Sequence, residues 1–128
     1  MIWLAKSGSE TPLQLEVGDD MLEWLKDQID SYAIEQIDLY GDTVLDRKDQ
    51  SQILKSLNFV FSQWSESLRK KYTTSTVLPR NPDVRECILK DLISKELRKH
   101  PYFQNLMELE AFLELSLELG FTVYAVGN

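Results

Sequence analysis

Glu110, Glu114 and Glu118 stand at successive four-residue steps near the end of the chain. On a helix that spacing puts three carboxylates on one face. Like charges so placed repel each other, and these also approach the helix C-terminus, where the dipole disfavours anions. Such a row serves either as a solubilising stripe or as an acidic strip that meets a basic partner. A second group, Asp38, Asp42, Asp46 and Asp49, follows a central strand pattern. Asp46 or Asp49 suits a helix N-cap, and Asp42 suits a turn in which it bonds its own backbone. A third, Asp19, Asp20, Glu23, Asp27 and Asp30, begins with residues that favour a helix N-terminus.

Other chemistry has few residues to work with. His100, the one histidine, rules out paired-histidine zinc ligation, and next to Pro101 it reads as a cation at a helix end rather than a catalytic base. Cys87, the one cysteine, rules out an internal disulfide and reads as a core residue near Val84 and Ile88. The aspartates at 42, 46 and 49 lack the alternating ligands and sixth-position glycine of a calcium loop. No glycine-rich phosphate cradle is present. No catalytic residue, metal or cofactor is expected, and the chain reads as a non-enzyme.

Charge is sorted along the 128 residues. Residues 1–50 carry twelve acids and four bases, residues 51–103 five acids and ten bases, and residues 104–128 four acids and no base. The net charge of −7 argues against a general nucleic-acid binder. The basic centre is accounted for by helix C-termini, Arg69-Lys70-Lys71 and Arg98-Lys99-His100, and by i,i+4 pairs Glu86–Lys90 and Asp91–Lys95. No apolar run is long enough to span a membrane, and the N-terminal residues lack a secretory pattern, so a cytoplasmic protein is expected.

The positioning elements follow from periodicity. Residues 1–5 and 12–17 read as a hairpin around the loop 7–11, with Leu13, Leu15 and Val17 alternating against polar neighbours. A helix opens at Asp20, with Glu23 three residues on as a capping box, and carries Met21, Leu22, Leu25, Ile29 and Tyr32 on one face to about Ser31. Residues 35–40 alternate as a third strand that Gly41-Asp42-Thr43 terminates. The next helix runs to about Lys71, burying Ile53, Leu57, Val60, Phe61, Trp64 and Leu68. Trp24, off the main apolar face of the first helix, is a candidate contact anchor. Residues 72–81 form the longest loop and the expected mobile stretch. Asn81-Pro82 starts a helix that ends near His100, a last helix covers about 102–119, and Gly120 closes it before a strand at 121–126. The expected fold is one α+β domain over 1–128, ordered β-β-α-β-α-α-α-β, with a mixed or antiparallel sheet of about four strands and about four helices on one face. The last helix, with Leu106, Leu109, Phe112, Leu113, Leu115, Leu117 and Leu119, is expected to be well buried with the glutamates as its one wet stripe.

The run Ile37-Asp38-Leu39-Tyr40-Gly41-Asp42-Thr43-Val44-Leu45-Asp46-Arg47, followed by Gln50 or Gln52 and an Ile53-Leu54-x-x-Leu57 helix, resembles a group of small bacterial proteins. Their shared feature is a YGDT-hydrophobic-hydrophobic-N/D-R turn between a strand and a helix. They finish on a leucine-rich helix and a short strand ending in Gly-Asp, where this chain has Phe121 to Gly127 and then Asn128. Such proteins resemble immunity proteins of polymorphic-toxin or contact-dependent growth inhibition systems. The resemblance covers about 25 residues and implies a cognate toxin domain as protein partner, with no catalytic residue to transfer.

The function expected is therefore an acidic binding protein that neutralises a basic toxin domain, a nuclease in the first instance, by steering and occlusion, with no direct nucleic-acid or membrane partner. The candidate partner-binding residues are Glu110, Glu114 and Glu118, with Asp42 and Asp46 second. The alternatives are an adaptor or regulatory interaction module and a small carboxylate-dependent enzyme. They are separated by the salt dependence of binding and by metal-induced stabilisation.

Overall fold

The computed structural model describes residues 1–8 and 11–127. Ser9 and Glu10 of the expected hairpin loop, and the terminal Asn128, lie outside the described residues. The described elements run β1 (Ile2–Lys6), β2 (Leu13–Glu16), α1 (Asp19–Gln28), α2 (Tyr32–Glu35), β3 (Asp42–Leu45), α3 (Arg47–Ser75), α4 (Pro82–Leu97), α5 (Phe103–Leu119) and β4 (Thr122–Val126). The sheet is antiparallel throughout, in the order β2-β1-β4-β3. The α+β class and its strand count are as the periodicity predicts.

Alternation gives the sheet two unlike faces. Trp3 and Ala5 of β1, Val123 and Ala125 of β4 and Leu45 of β3 are buried. They sit in register across the sheet, Trp3 opposite Ala125 and Ala5 and Leu45 each opposite Val123. Helices cover this face. Leu22 and Leu25 of α1, Ala33 and Ile34 of α2, Ile53 and Leu57 of α3 and Leu106, Leu109 and Leu113 of α5 join one apolar core with it. The neighbouring residues of each strand point the other way, where Ile2, Val44 and Val126 are exposed.

One buried polar network ties the layers together. Gln50, fully buried one turn into α3, donates from Nε2 to the Leu45 carbonyl at 3.1 Å and the Phe121 carbonyl at 3.0 Å. Its Oε1 accepts from the Ser116 hydroxyl at 2.7 Å. A single side chain thus joins the end of β3, the start of α3, the last turn of α5 and the approach to β4. In the low dielectric of a core such a network is stable only when each member is satisfied.

Several local expectations need correction. The third strand is not at 35–40. Ala33 and Ile34 are buried by the short helix α2, Ile37 is buried just past its C-cap Gln36, and the strand follows at Asp42–Leu45. Asp42 is the first residue of that strand. The turn before it is bonded by Asp38, whose Oδ1 accepts from Tyr40 N at 2.9 Å, while Thr43 Oγ1 accepts from Asp38 N at 3.1 Å. A Cβ on Gly41 would press on the end of the Asp38 side chain, and Gly127 has to be small, because a Cβ there would run into the Gly41 backbone. The two ends of the YGDT resemblance therefore touch. Helix α1 is preceded by Gly18 with no side-chain cap, so the Asp20–Glu23 capping box is absent, and Tyr32 leaves its face to open α2, exposed.

Helix α3 continues through the threonine-rich stretch to Ser75. Thr73, Thr74 and Ser75 bond back to the carbonyls of Arg69, Lys70 and Lys71, so their hydroxyls are satisfied within the helix. The loop to α4 is thereby reduced to 76–81. Helix α4 starts as expected, with Asn81 capping and Pro82 in the first turn, but stops at Leu97. It packs Leu89 and Ile93 against α3 and stands outside the main core, so α3 and α4 form a projecting hairpin. Arg69 and Glu86 clamp it with two bonds of 2.8 and 2.7 Å, and Tyr72 donates to Glu96 at 3.3 Å. Glu86 is held by Arg69, not by Lys90 as its spacing suggests, whereas Asp91–Lys95 forms at 2.9 Å. Cys87 lies on the exposed side of α4 rather than in the core.

Candidate interaction face

Helix α5 is apolar on nearly every side, and the core takes only part of it. Leu106, Leu109, Phe112, Leu113 and Ser116 face inward. Met107 is 41% exposed, Leu115 42% and Leu119 50%, and Ala111 is exposed between them. These four follow one another at i,i+4 steps, so they form a continuous ridge along the helix. The glutamate row Glu110, Glu114 and Glu118 is the adjacent ridge. The expectation of a well-buried helix with glutamates as its only wet stripe is therefore wrong in one respect. An apolar strip shares the solvent side with them. Periodicity could not show this, because a helix with leucine on all sides gives no phase. The available signal was the leucine count itself, which exceeds what one helix face can bury.

The glutamates are unneutralised. Glu114 and Glu118 are exposed and Glu110 half-buried, and among the described residues no basic side chain pairs with any of them. Pairs between Lys or Arg and carboxylates run instead along the α3–α4 hairpin, from Glu66–Lys70 to Glu96–Lys99, while Asp19 takes the N-terminal amine at 3.3 Å. Burial pushes the Glu110 carboxyl above its ordinary range, and the Glu114 charge one turn on adds to the effect. Glu110 lines a groove of about 550 Å³ where α3, α5 and the end of α4 meet, together with Asn58, Phe61, Leu97, Phe103 and Met107.

The second-rank aspartates are not brought to this face. Asp42 opens β3 opposite Val126, on the sheet face away from the helices. Asp46 is committed to the N-terminus of α3. Its Oδ1 accepts from Asp49 N at 2.8 Å, and Asp49 Oδ2 accepts from Asp46 N at 3.2 Å, a reciprocal capping box. Both aspartates have local structural positions, and neither extends the glutamate row.

His100 is not a helix-end cation. It lies past the end of α4, with its ring centroid 4.4 Å from Trp64 and 5.1 Å from Trp24, and Nδ1 accepts from Tyr102 N at 3.1 Å. Burial lowers its pKa, so the neutral ring is favoured. Trp24, the candidate anchor, is spent on the same cluster, 5.3 Å from Trp64 and 5.4 Å from Tyr102. Among the described residues no three of His, Cys, Asp and Glu converge to hold a metal ion. No helix among them is long and apolar enough to cross a membrane. No family model, curated protein or solved structure matches the chain.

Proposed function

We propose that this chain is a non-enzymatic binding protein whose α5 face docks onto, and occludes, a basic surface of a toxin domain. The observation that carries the proposal is the pairing of two ridges on one exposed helix side, an apolar row from Met107 to Leu119 and an unneutralised row from Glu110 to Glu118. Interfaces combine an apolar centre, which supplies burial, with charges that steer encounter and fix orientation. A lysine- or arginine-lined surface would relieve the repulsion within the glutamate row while covering the leucines. A nuclease cleft has that charge, and the resemblance of the 37–47 turn to immunity proteins supports a toxin domain as its source. On this assignment Asp46 supports the fold, and the contact belongs to Glu110, Glu114 and Glu118.

The test is association kinetics with the partner recovered by co-purification on the tagged chain from cells that express it. Replacing Glu110, Glu114 and Glu118 together with lysine should cut the association rate at low salt by roughly tenfold or more and flatten its salt dependence. Circular dichroism should show the fold intact. An unchanged rate at low salt removes this assignment.

A further inference from the structure

The groove along α3 has a composition that selects its occupant. Asn58, Phe61, Ser62 and Ser65 follow at i, i+3, i+4 and i+7 on α3, and Phe103, Met107 and Glu110 at i, i+4 and i+7 on α5, so each helix lends it one face. A volume of about 550 Å³ is ordinary for a ligand cleft. The walls are apolar. The Phe61 and Phe103 rings meet edge to face at 6.0 Å, and Met107 is largely uncovered one turn along α5. The one carboxylate of the groove, Glu110, has no ion pair and no side-chain hydrogen bond among the described residues. Burial already disfavours its charge, so a cation relieves it where a neutral or anionic group does not. Past Ser62, Ser65 and Leu97 the groove opens onto Arg69 and Lys90, which confines a cationic head to the Glu110 end.

We propose that this groove receives one arginine side chain of the basic partner, its aliphatic stem against Phe61, Phe103 and Met107 and its guanidinium on the Glu110 carboxylate. The inference rests on the docking reading above and names the side chain which that reading leaves open. Arginine suits the groove better than lysine. Its guanidinium stacks on aromatic faces and carries five donors, and the side-chain oxygens of Asn58 and Ser62 line the same groove as acceptors beyond the carboxylate. It is also more weakly hydrated than an ammonium, so it enters a half-covered apolar site at lower cost. A single arginine seated among apolar side chains is a common form of interface hot spot. Glu114 and Glu118, exposed and outside the groove, then steer the encounter, while Glu110 holds the bound partner.

The test titrates the isolated chain with N-butylguanidinium, which needs no partner. Backbone amide shifts in NMR spectra should gather around Asn58, Ser62 and Glu110 and follow a dissociation constant of roughly 1–10 mM, the range open to so small a ligand. Glu110→Gln should weaken the probe at least about fivefold, and Glu114→Gln by less than about twofold. Butylurea, alike in shape but uncharged, should not bind in that range, and butylammonium should bind more weakly than butylguanidinium. Shifts that survive Glu110→Gln, or that scatter over the acidic surface, overturn the site. Butylammonium bound as tightly overturns the preference for arginine. Against the recovered partner, Asn58→Lys, at an exposed position lining the groove, should speed dissociation about tenfold or more. If replacing Glu110, Glu114 and Glu118 with lysine slows association while Asn58→Lys leaves dissociation unchanged, the docking reading stands and the arginine is overturned. If that triple variant associates normally at low salt, the docking reading falls, and the partner arginine with it.

Discussion

Glutamates kept for a partner should cost the free protein stability, and that cost can be read without the partner. Replacing Glu110, Glu114 and Glu118 with glutamine preserves shape and removes the charges. Two i,i+4 repulsions then disappear, each worth roughly 0.2–0.5 kcal/mol. Glu118, in the last turn of α5, also stops opposing the helix dipole, worth about 0.3–1 kcal/mol. None of the three has an ion pair to lose among the described residues, and Glu110 is relieved of a partly desolvated charge. The total is a stabilisation of about 0.7–2 kcal/mol, which for a chain of this size raises Tm by about 2–8 °C. Thermal melting at low salt measures it. The same comparison in about 0.5 M salt should show a smaller gain, because exposed charges are screened. A triple variant that melts at or below the wild-type temperature at low salt would falsify the claim that the row is uncompensated, and the case for a waiting basic partner would go with it. A gain that salt leaves untouched would point to helix propensity instead of charge.

Two further predictions concern the parts that hold this face in place. Gln50→Leu should destabilise the fold by about 3 kcal/mol in urea melts, since it strands the buried Leu45 and Phe121 carbonyls and the Ser116 hydroxyl. A loss under about 1 kcal/mol would mean those groups find other partners. His100 has a folded-state pKa depressed by burial, so above the unfolded value of about 6.5 both states are neutral and it contributes no pH dependence. As pH falls through that value the unfolded chain takes the proton first, and stability is lost. Between about pH 7 and 5 the wild-type Tm should therefore fall more steeply than that of His100→Gln, and coincident slopes would refute the neutral assignment.

The legible parts were those where a local rule and the tertiary environment agree. Alternation in 12–17 and 121–126, the 3.6-residue stripe from Ile53 to Trp64, the Asn81-Pro82 start and the Gly120 stop all describe what their own neighbours do. Residues 31–45 failed because two periods overlap. Ile37 and Leu39 alternate like a strand, whereas Ala33, Ile34 and Ile37 repeat like a helix, and the free edge of β4 pairs with 42–45. Thr73 to Ser75 failed because threonine and serine are only mildly disfavoured in a helix, and their hydroxyls find carbonyl partners one turn back without breaking it. On α5 the glutamate row was visible in the sequence, and its uncompensated state was not, since that depends on where the bases of other helices end up.

Composition and order along the chain determined the acidic balance, the single histidine and single cysteine, the α+β class and the single-faced helix layer. These are local or additive properties, carried by residue type and period alone. Tertiary structure decided which side of α5 meets water, that Asp46 is consumed as a cap, that His100 and Trp24 meet in one aromatic cluster, and that Val44 and Ile2 stay exposed on the outer sheet face. Each of these depends on which distant segment arrives to cover a surface, and burial is a property of the pair of surfaces, not of either one.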